Sequence, residues 1–188
     1  MKFKDAQKKA IAMFEDPIFI ERIREEDARM LKQLPLLQKI NAEGFLTQNS
    51  QAGQFQKGIS VLTKKPYENH ERAYLIGYIE ESKAEDFLKK MATKTDKNAI
   101  FIPVCEGSMD IPGKLDIPLT LTRSQGNTEI HTHMSSALPK ETADFFRKQV
   151  HLDKSVKAVL IFCWDSMWNR LASRKNGLFI DVLKCLKG

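Results

Sequence analysis

Four small polar side chains lie close together where a helical pattern gives way to a strand pattern: Thr47, Asn49, Ser50 and Gln51. Hydroxyl and amide groups at the exit of a strand can hydrogen-bond the carboxylate, ribose or amide of a ligand. The same groups also cap and turn the local backbone in many proteins. The residue types are therefore compatible with both a ligand site and a local turn.

A second group with chemical potential is Glu129-x-His131-x-His133. On a strand, residues two apart share a face, so both imidazoles and the carboxylate could bind one metal ion. A polar face of an exposed hairpin gives the same pattern, and the remaining histidines, His70 and His151, are isolated in sequence. We therefore favour an ordinary polar face and keep a small metal-dependent enzyme as an alternative.

Other common catalytic patterns do not occur in the sequence. It contains no G-x-x-x-x-G-K-[ST], G-x-G-x-x-G or G-x-S-x-G motif, which disfavours P-loop nucleotidases, dinucleotide binders and serine hydrolases. The three cysteines, Cys105, Cys163 and Cys185, lack metal-ligand spacing and are expected to be buried, reduced thiols. The sequence favours a protein without catalytic activity.

The formal charge of +6 comes largely from the last quarter of the chain, because residues 138–188 carry 10 basic and 5 acidic side chains. Basic surfaces attract phosphates, so nucleic acid is a possible partner of this quarter, although a solvated face explains the charge as well. The basic residues concerned include Arg170, Arg174, Lys175, Lys184 and Lys187.

Trp164 and Trp168 have helical spacing, which would place both rings on one face of a helix. We favour core packing as the role of these two rings.

The chain contains no run near the roughly 20 apolar residues that span a membrane, and its first residues lack the apolar core of a secretory signal. We therefore expect a cytoplasmic protein without a membrane partner. Its 188 residues suit one domain, in which 1–34 form an N-terminal helical extension and 35–188 the core.

Helical periodicity covers the first 43 residues, with Pro17 opening a second helix, Pro35 restarting it and Gly44 ending it. After Gly44 the pattern predicts a short strand over 45–47, a polar loop over 49–57, and strands over 59–63 and 72–80. Ser82 and Glu85 form a capping-box pattern that predicts the start of a helix.

The second half predicts a strand over 99–105 that is buried on both faces, then a loop over 106–114. A β-hairpin follows, with strands over 119–123 and 128–133. The remaining predictions are a helix from Pro139 to Val150, a buried strand over 157–165, a short helix over 166–174 and, with a slight preference for helix, a last element over 178–186. This order predicts an α+β fold with a mixed, largely antiparallel sheet, flanking helices and an N-terminal helical segment.

Two stretches carry a resemblance to a known family. Residues 37–51 contain Gly44-Phe45-Leu46-Thr47 followed by Asn49-Ser50-Gln51 after a helix, and Glu71-Arg72-Ala73-Tyr74-Leu75 precedes the helix at 82–91. This order resembles the C-terminal regulatory domain of eukaryotic methylenetetrahydrofolate reductases over about residues 30–92. Uncharacterised proteins of large DNA viruses are similar in the same pattern. Gln48 and Ala52 depart from the family, which has an apolar residue and a proline there.

The resemblance implies a domain that binds S-adenosylmethionine and regulates a separate catalytic barrel. Thr47 and Ser50 match motif positions at or near the family's ligand site, with Asn49 and Gln51 beside them. The chain has no room for the barrel, so neither flavin nor reductase activity is expected. The leading hypothesis is a non-catalytic binding or regulatory module for S-adenosylmethionine or a related nucleoside. The alternative is a structural or protein–protein interaction module that kept the fold and lost the ligand site; a homo-oligomer and a viral protein (host cytoplasm or virion) both fall under this alternative.

Overall fold

The computed structural model of the chain describes residues 1–106 and 114–188. The predicted loop over 106–114 therefore lies almost wholly outside the described residues. The helices are α1 (Phe3–Met13), α2 (Pro17–Asp27), a 3₁₀ helix (Ala28–Gln33), α3 (Leu34–Ala42), α4 (Glu81–Ala92), α5 (Lys140–Gln149) and α6 (Leu178–Lys187). The strands are β1 (Leu46–Ala52), β2 (Phe55–Ile59), β3 (Pro66–Glu71), β4 (Ala73–Glu80), β5 (Lys97–Phe101), β6 (Val104–Cys105), β7 (Asp116–Ser124), β8 (Asn127–Ser135), β9 (Leu138–Pro139) and β10 (Ala158–Asp165).

A four-stranded antiparallel sheet in the order β1-β4-β10-β5 forms the centre of the molecule. A second antiparallel sheet has the order β2-β3-β7-β8, and β6 pairs with β9 in parallel. The predicted α+β class, with a largely antiparallel sheet and an N-terminal helical segment, is confirmed. No helix in the described parts of the chain is both long and apolar enough to cross a membrane.

Alternation along β4 and β10 supplies two separate cores on the two faces of the central sheet. Leu75 and Ile79 belong to the core that α3, α4 and α6 cover, whereas Ile76 and Tyr78 belong to the opposite one. Phe3 and Ala6 of α1 are buried in that opposite core. Because side chains alternate along a strand, an apolar run with no polar positions is buried on both faces. The prediction that the strand near 157–165 is buried is confirmed.

The prediction that a helix ends at Gly44 is also confirmed. Gly44 has φ +103°, its N–H donates to the Asn41 carbonyl at 3.1 Å, and the Phe45 N–H donates to the Ile40 carbonyl at 3.2 Å. This pair of bonds is the Schellman arrangement that satisfies the last carbonyls of a helix. It ends α3 and aims the chain into β1.

The polar stretch after Gly44 is where the prediction was wrong. Residues 46–52 and 55–59 are strands rather than a short strand and a loop, and residues 60–63 form a turn. β1 pairs with β4, and β2 pairs with β3, so residues 46–80 form one long hairpin that bends at Gly53 and Arg72. We call its outer half, β2 and β3 with the turn between them, the β-arm. Pairing with distant partners overrides the loop-like composition of these residues.

Three further predictions need correction. Ser82 does not cap α4, since the helix begins at Glu81 with Glu80 at the cap position. The strand predicted over 99–105 breaks at Pro103, and Phe101 is 48% exposed, so it is not buried on both faces. Residues 166–174 form turns instead of a helix, because Asp165 at the end of β10 accepts a hydrogen bond from the Met167 N–H and pairs with the Arg170 guanidinium.

The predicted hairpin is confirmed as β7 and β8, and the helix predicted last is confirmed as α6.

Candidate functional site

A pocket of about 800 Å³ opens between the N-terminal helices and β1, the edge strand of the central sheet. We call it the β1 pocket. Ligand pockets of proteins have volumes of roughly 300–1,000 Å³. One wall is the polar stretch of β1, and the facing helices supply apolar side chains together with charged ones such as Lys9 and Arg22. The polar wall consists of Thr47, Gln48, Asn49, Ser50 and Gln51. The apolar side chains include Met13, Phe14, Phe19, Ile23, Met30, Leu34 and Leu37.

Asn41 fixes the start of the polar wall. This residue of α3 is fully buried, and its Nδ2 donates to the Thr47 hydroxyl at 2.8 Å. Its Oδ1 in turn accepts from the Thr47 N–H at 3.0 Å. The second bond satisfies the Thr47 N–H, a backbone donor of an edge strand that would otherwise be open to pairing with another strand. The Thr47 hydroxyl thus has a structural partner as well as a place in the wall.

Gln48 sits at an irregularity of β1, where the pairing with β4 shifts between Thr47 and Asn49. Bulges of this kind redirect a side chain and are frequent beside functional sites. The Nε2 of Gln48 donates to Gln149 Oε1 at 2.7 Å, across the pocket rim. Its Oε1 is buried without a hydrogen-bond partner among the described residues. A buried acceptor without a partner costs about 1–3 kcal/mol, so a ligand that donates a hydrogen bond would recover that free energy.

The four residues that the sequence singled out are therefore brought together in one wall. Several of their side chains are already engaged in hydrogen bonds within the chain. Asn49 Oδ1 accepts from the Ser50 N–H at 2.7 Å, and Gln51 Nε2 donates to the Arg72 carbonyl at 3.0 Å. These bonds are local backbone support, which was the alternative role for this stretch. Gln48 was missed because its type departs from the family pattern, and no sequence signal marks the bulge that places it.

The helix α2 forms the outer wall of the β1 pocket. Asp16 caps it by accepting from the Ile18 N–H at 2.8 Å, and every residue of α2 keeps at least partial exposure. Phe19 packs edge-on against Phe14, with ring centroids 5.8 Å apart, and Arg22 lies over the Phe19 ring at 5.2 Å. Two aromatic rings on this side of the pocket suit a flat apolar group of a ligand.

The carboxylates of the β1 pocket already have partners. Asp16 caps α2, Glu26 lies 3.8 Å from Arg22, and Asp27 Oδ2 accepts from Arg29 Nη2 at 2.9 Å. The same guanidinium reaches Glu71 at 3.4 Å. Burial raises the pKa of Glu71, while Arg29 opposes that rise. These acidic groups hold the wall together, and the geometry does not pair any of them with a nucleophile.

The strand β8 carries Glu129, His131 and His133, all of them exposed. The pairing of β7 with β8 shifts near Thr120, and the His131 ring lies 2.8 Å from the Thr122 hydroxyl. Among residues 1–106 and 114–188, no group of three His, Cys, Asp or Glu side chains is placed to hold a metal ion. The metal set remains a hypothesis from the strand pattern, without support from the geometry.

The basic residues of the C-terminal quarter are partly engaged within the chain. Arg170 pairs with Asp165 and Asp96, Lys184 with Asp181, and Lys187 with Glu43. Trp164 stacks on Phe162 at 4.9 Å, whereas Trp168 lies under the Arg72 guanidinium at 4.3 Å. The spacing of the two tryptophans predicted that they share a helical face, and this prediction was wrong. Nucleic-acid binding by this quarter stays a prediction.

Both buried cysteines have environments that suppress thiolate formation. Burial raises the pKa of Cys163 and of Cys185, and Cys185 also lies near lysines that act the other way. A thiolate is the reactive form of cysteine, so these two side chains behave as small apolar groups of the core. Cys105 is partly exposed in β6.

Comparison with known proteins gives no further assignment. No family model matches the chain, and no curated protein matches it. The resemblance to the reductase regulatory domain therefore rests on the two motifs alone. In the fold those motifs are neighbours, because Ala52 pairs with Ala73 and Gln51 with Tyr74 in the register of β1 and β4.

Proposed function

We propose that this protein is a non-catalytic binding module whose small-molecule ligand occupies the β1 pocket. The observation that carries the proposal is the position of Gln48: the residue lines a pocket of about 800 Å³, and its buried Oε1 lacks a hydrogen-bond partner within the described chain. Native proteins leave few buried polar atoms unsatisfied, and each exception calls for an explanation. A bound donor supplies that explanation.

The walls limit the chemistry of the ligand. It needs a hydrogen-bond donor for Gln48 Oε1 and an apolar portion that packs against Phe14 and Phe19. An adenine nucleoside carries an amino donor on a flat ring, and S-adenosylmethionine adds a second amine and a ribose. S-adenosylmethionine or a related nucleoside thus fits both walls and is the ligand that the resemblance of residues 37–51 implies.

The partners of the acidic side chains support a binding role over catalysis. Asp16 is engaged in a helix cap, and Glu26 and Asp27 are engaged in ion pairs. General acid–base chemistry requires a side chain that is positioned to give or take a proton of the substrate. The module would act through what it binds, and α2 is the element that a ligand would hold in place.

Isothermal titration with S-adenosylmethionine and S-adenosylhomocysteine tests the proposal. Wild-type protein should release or absorb heat with at least one of them. Gln48→Leu should weaken that binding about tenfold, since the hydrogen bond to the ligand is worth on the order of 1 kcal/mol and about 1.4 kcal/mol corresponds to a factor of ten. Gln56→Leu is the matched control, because Gln56 is exposed on β2 and does not line the β1 pocket. It should bind as the wild type does.

Two results would contradict different parts of the proposal. The absence of heat with both ligands would exclude the nucleoside assignment. Binding that is equally strong in Gln48→Leu and wild type would place the ligand away from β1, whatever its identity.

A further inference from the structure

The tip of the β-arm exposes an apolar patch that the β1 pocket does not involve. Ile59 is 70% exposed, Val61 is 80% exposed and Leu62 is 93% exposed. These three residues lie at the end of β2 and in the turn that leads to β3. Single exposed aliphatic residues are common on protein surfaces, whereas a cluster of them marks an interaction site.

The turn holds these side chains outward in a fixed arrangement. The Ser60 N–H donates to the Lys65 carbonyl at 2.9 Å, and the Lys64 N–H donates to the Ser60 carbonyl at 2.8 Å. Ser60 Oγ also accepts from the Thr63 N–H at 3.1 Å. Because the backbone closes on itself, Val61 and Leu62 remain at the apex and do not fold back onto the arm.

The β-arm carries the patch away from the body of the protein. β2 pairs with β3 through five residues, from Phe55 opposite His70 to Ile59 opposite Pro66. At about 3.3 Å per residue, the tip stands roughly 17 Å beyond the bend at Gly53. The neighbouring hairpin supports it at its side, since Lys65 Nζ donates to Gln125 Oε1 at 2.8 Å and Ser124 Oγ donates to the Pro66 carbonyl at 3.1 Å.

Basic side chains lie next to the apolar apex. Lys64 and Lys65 are exposed in the turn over 60–65, which contains no acidic residue, and the exposed Lys57 and Arg123 lie beside Glu68 on the two neighbouring strands. The nearest carboxylate along the arm is Glu68, which pairs with Lys57 at 2.8 Å. The apex is therefore apolar at its point and positive at its base.

We infer that the tip of the β-arm binds anionic lipid surfaces, with Val61 and Leu62 inserted at the headgroup boundary and the lysines on the phosphates. Aliphatic side chains at a projecting point enter the interface, and basic residues near an anionic leaflet each add to the affinity. A stable protein–protein interface buries roughly 800 Å² on each partner, whereas the exposed apolar surface of the apex consists of three aliphatic side chains. Contact of this kind needs no membrane span.

Co-sedimentation with phospholipid vesicles tests the inference. The wild-type chain should bind vesicles of phosphatidylcholine and phosphatidylserine mixed two to one, bind pure phosphatidylcholine vesicles far less, and lose affinity as salt increases. Val61→Asn/Leu62→Asn removes apolar surface without a change in charge and should lower the partition coefficient about tenfold or more. Lys64→Gln/Lys65→Gln should lower it on the anionic vesicles by a similar factor.

The matched control is Ile18→Asn/Leu115→Asn, which changes two exposed aliphatic residues that lie outside the β-arm, 81% and 67% exposed. It should bind the anionic vesicles as the wild type does. Far-ultraviolet circular dichroism of each variant confirms that the fold is kept, as expected for exposed positions.

Three outcomes would overturn the inference. The first is a wild-type chain that fails to sediment with the anionic vesicles, and the second is a Val61→Asn/Leu62→Asn variant that binds them as well as the control. The third is a wild-type dimer, seen by light scattering without vesicle binding, that the same variant converts to a monomer. That result would identify the tip as an interface between two copies of the chain.

Discussion

Gln48 and Glu71 are polar side chains that the fold withdraws from water without full compensation. Gln48 Oε1 and Glu71 Oε2 are both buried and lack hydrogen-bond partners among the described residues. At Gln48 we propose that a bound ligand offsets the cost. At Glu71, burial favours the protonated carboxyl. A neutral carboxyl loses less hydration free energy on burial than a carboxylate does.

Glu71→Gln tests this consequence. Burial raises the pKa of Glu71, so its contribution to stability is full at acidic pH and is lost as the pH rises through the folded-state pKa. Glutamine does not titrate. The stability of Glu71→Gln relative to wild type, from urea unfolding, should therefore increase between about pH 4 and pH 7.

Glu68→Gln provides the opposite trend as a control on the same strand. The hydrogen bond from Lys57 lowers the pKa of Glu68, so the contribution of Glu68 to stability is present at neutral pH and is lost as the pH falls. Relative to wild type, Glu68→Gln should become less stable as the pH rises. A pH-independent difference for Glu71→Gln would show that its carboxyl is hydrated in solution.

Among the elements, the edge strand β1 decides where the pocket lies. It is polar enough to resemble a loop, and its pairing with β4 holds it in the central sheet. Its outer side is protected by groups of the same chain, since Asn41 binds the Thr47 N–H and the Ala172 N–H donates to the Ala52 carbonyl at 2.7 Å. These hydrogen bonds hinder the pairing of β1 with a strand of another chain, and the side chains of β1 line the pocket.

Gly77→Ala tests the close contact between β1 and β4. A Cβ at Gly77 would lie 2.3 Å from the Leu46 carbonyl oxygen and 2.5 Å from the Phe45 ring. Since neither backbone nor buried ring can move freely, the free energy of unfolding should fall by about 1–3 kcal/mol, measured by urea unfolding. Gly126→Asn is the control, because a Cβ there meets no heavy atom within 4 Å and asparagine tolerates its φ of +82°. An unchanged midpoint for Gly77→Ala would mean that β1 can separate from β4.

For the whole molecule, Asp165 connects parts that are distant in sequence. It is fully buried at the end of β10, with Lys97 Nζ of β5 at 3.3 Å and Arg170 Nε at 3.1 Å. Lys97 also lies 4.0 Å from Asp181 of α6. One carboxylate thus joins the central sheet, the turns over 166–177 and, through Lys97, the last helix.

Asp165→Ala should therefore be strongly destabilising. It would leave the buried Lys97 ammonium with the more distant Asp181 carboxylate and the Thr95 carbonyl at 3.4 Å, and removal of one partner from a buried ion pair costs about 3–5 kcal/mol. Chemical unfolding measures the loss. Glu85→Ala removes a partner from the exposed pair with Lys89 and should leave the unfolding midpoint unchanged. Equal midpoints for the two variants would contradict the structural role of Asp165.

Local pattern by itself predicted the helices α1 to α6, the end of α3 at Gly44, the buried strand β10, the hairpin of β7 and β8, and hence the α+β class. Each of these depends on the periodicity or turn chemistry of neighbouring residues. Only the tertiary structure decided that the polar residues over 49–57 are largely strand and that 166–174 are turns, because distant partners such as β4 and Asp165 impose those conformations. The pocket, too, depends on tertiary structure: its lining extends from Ala6 to His151, and the stretch Thr47–Gln51 supplies one wall of it.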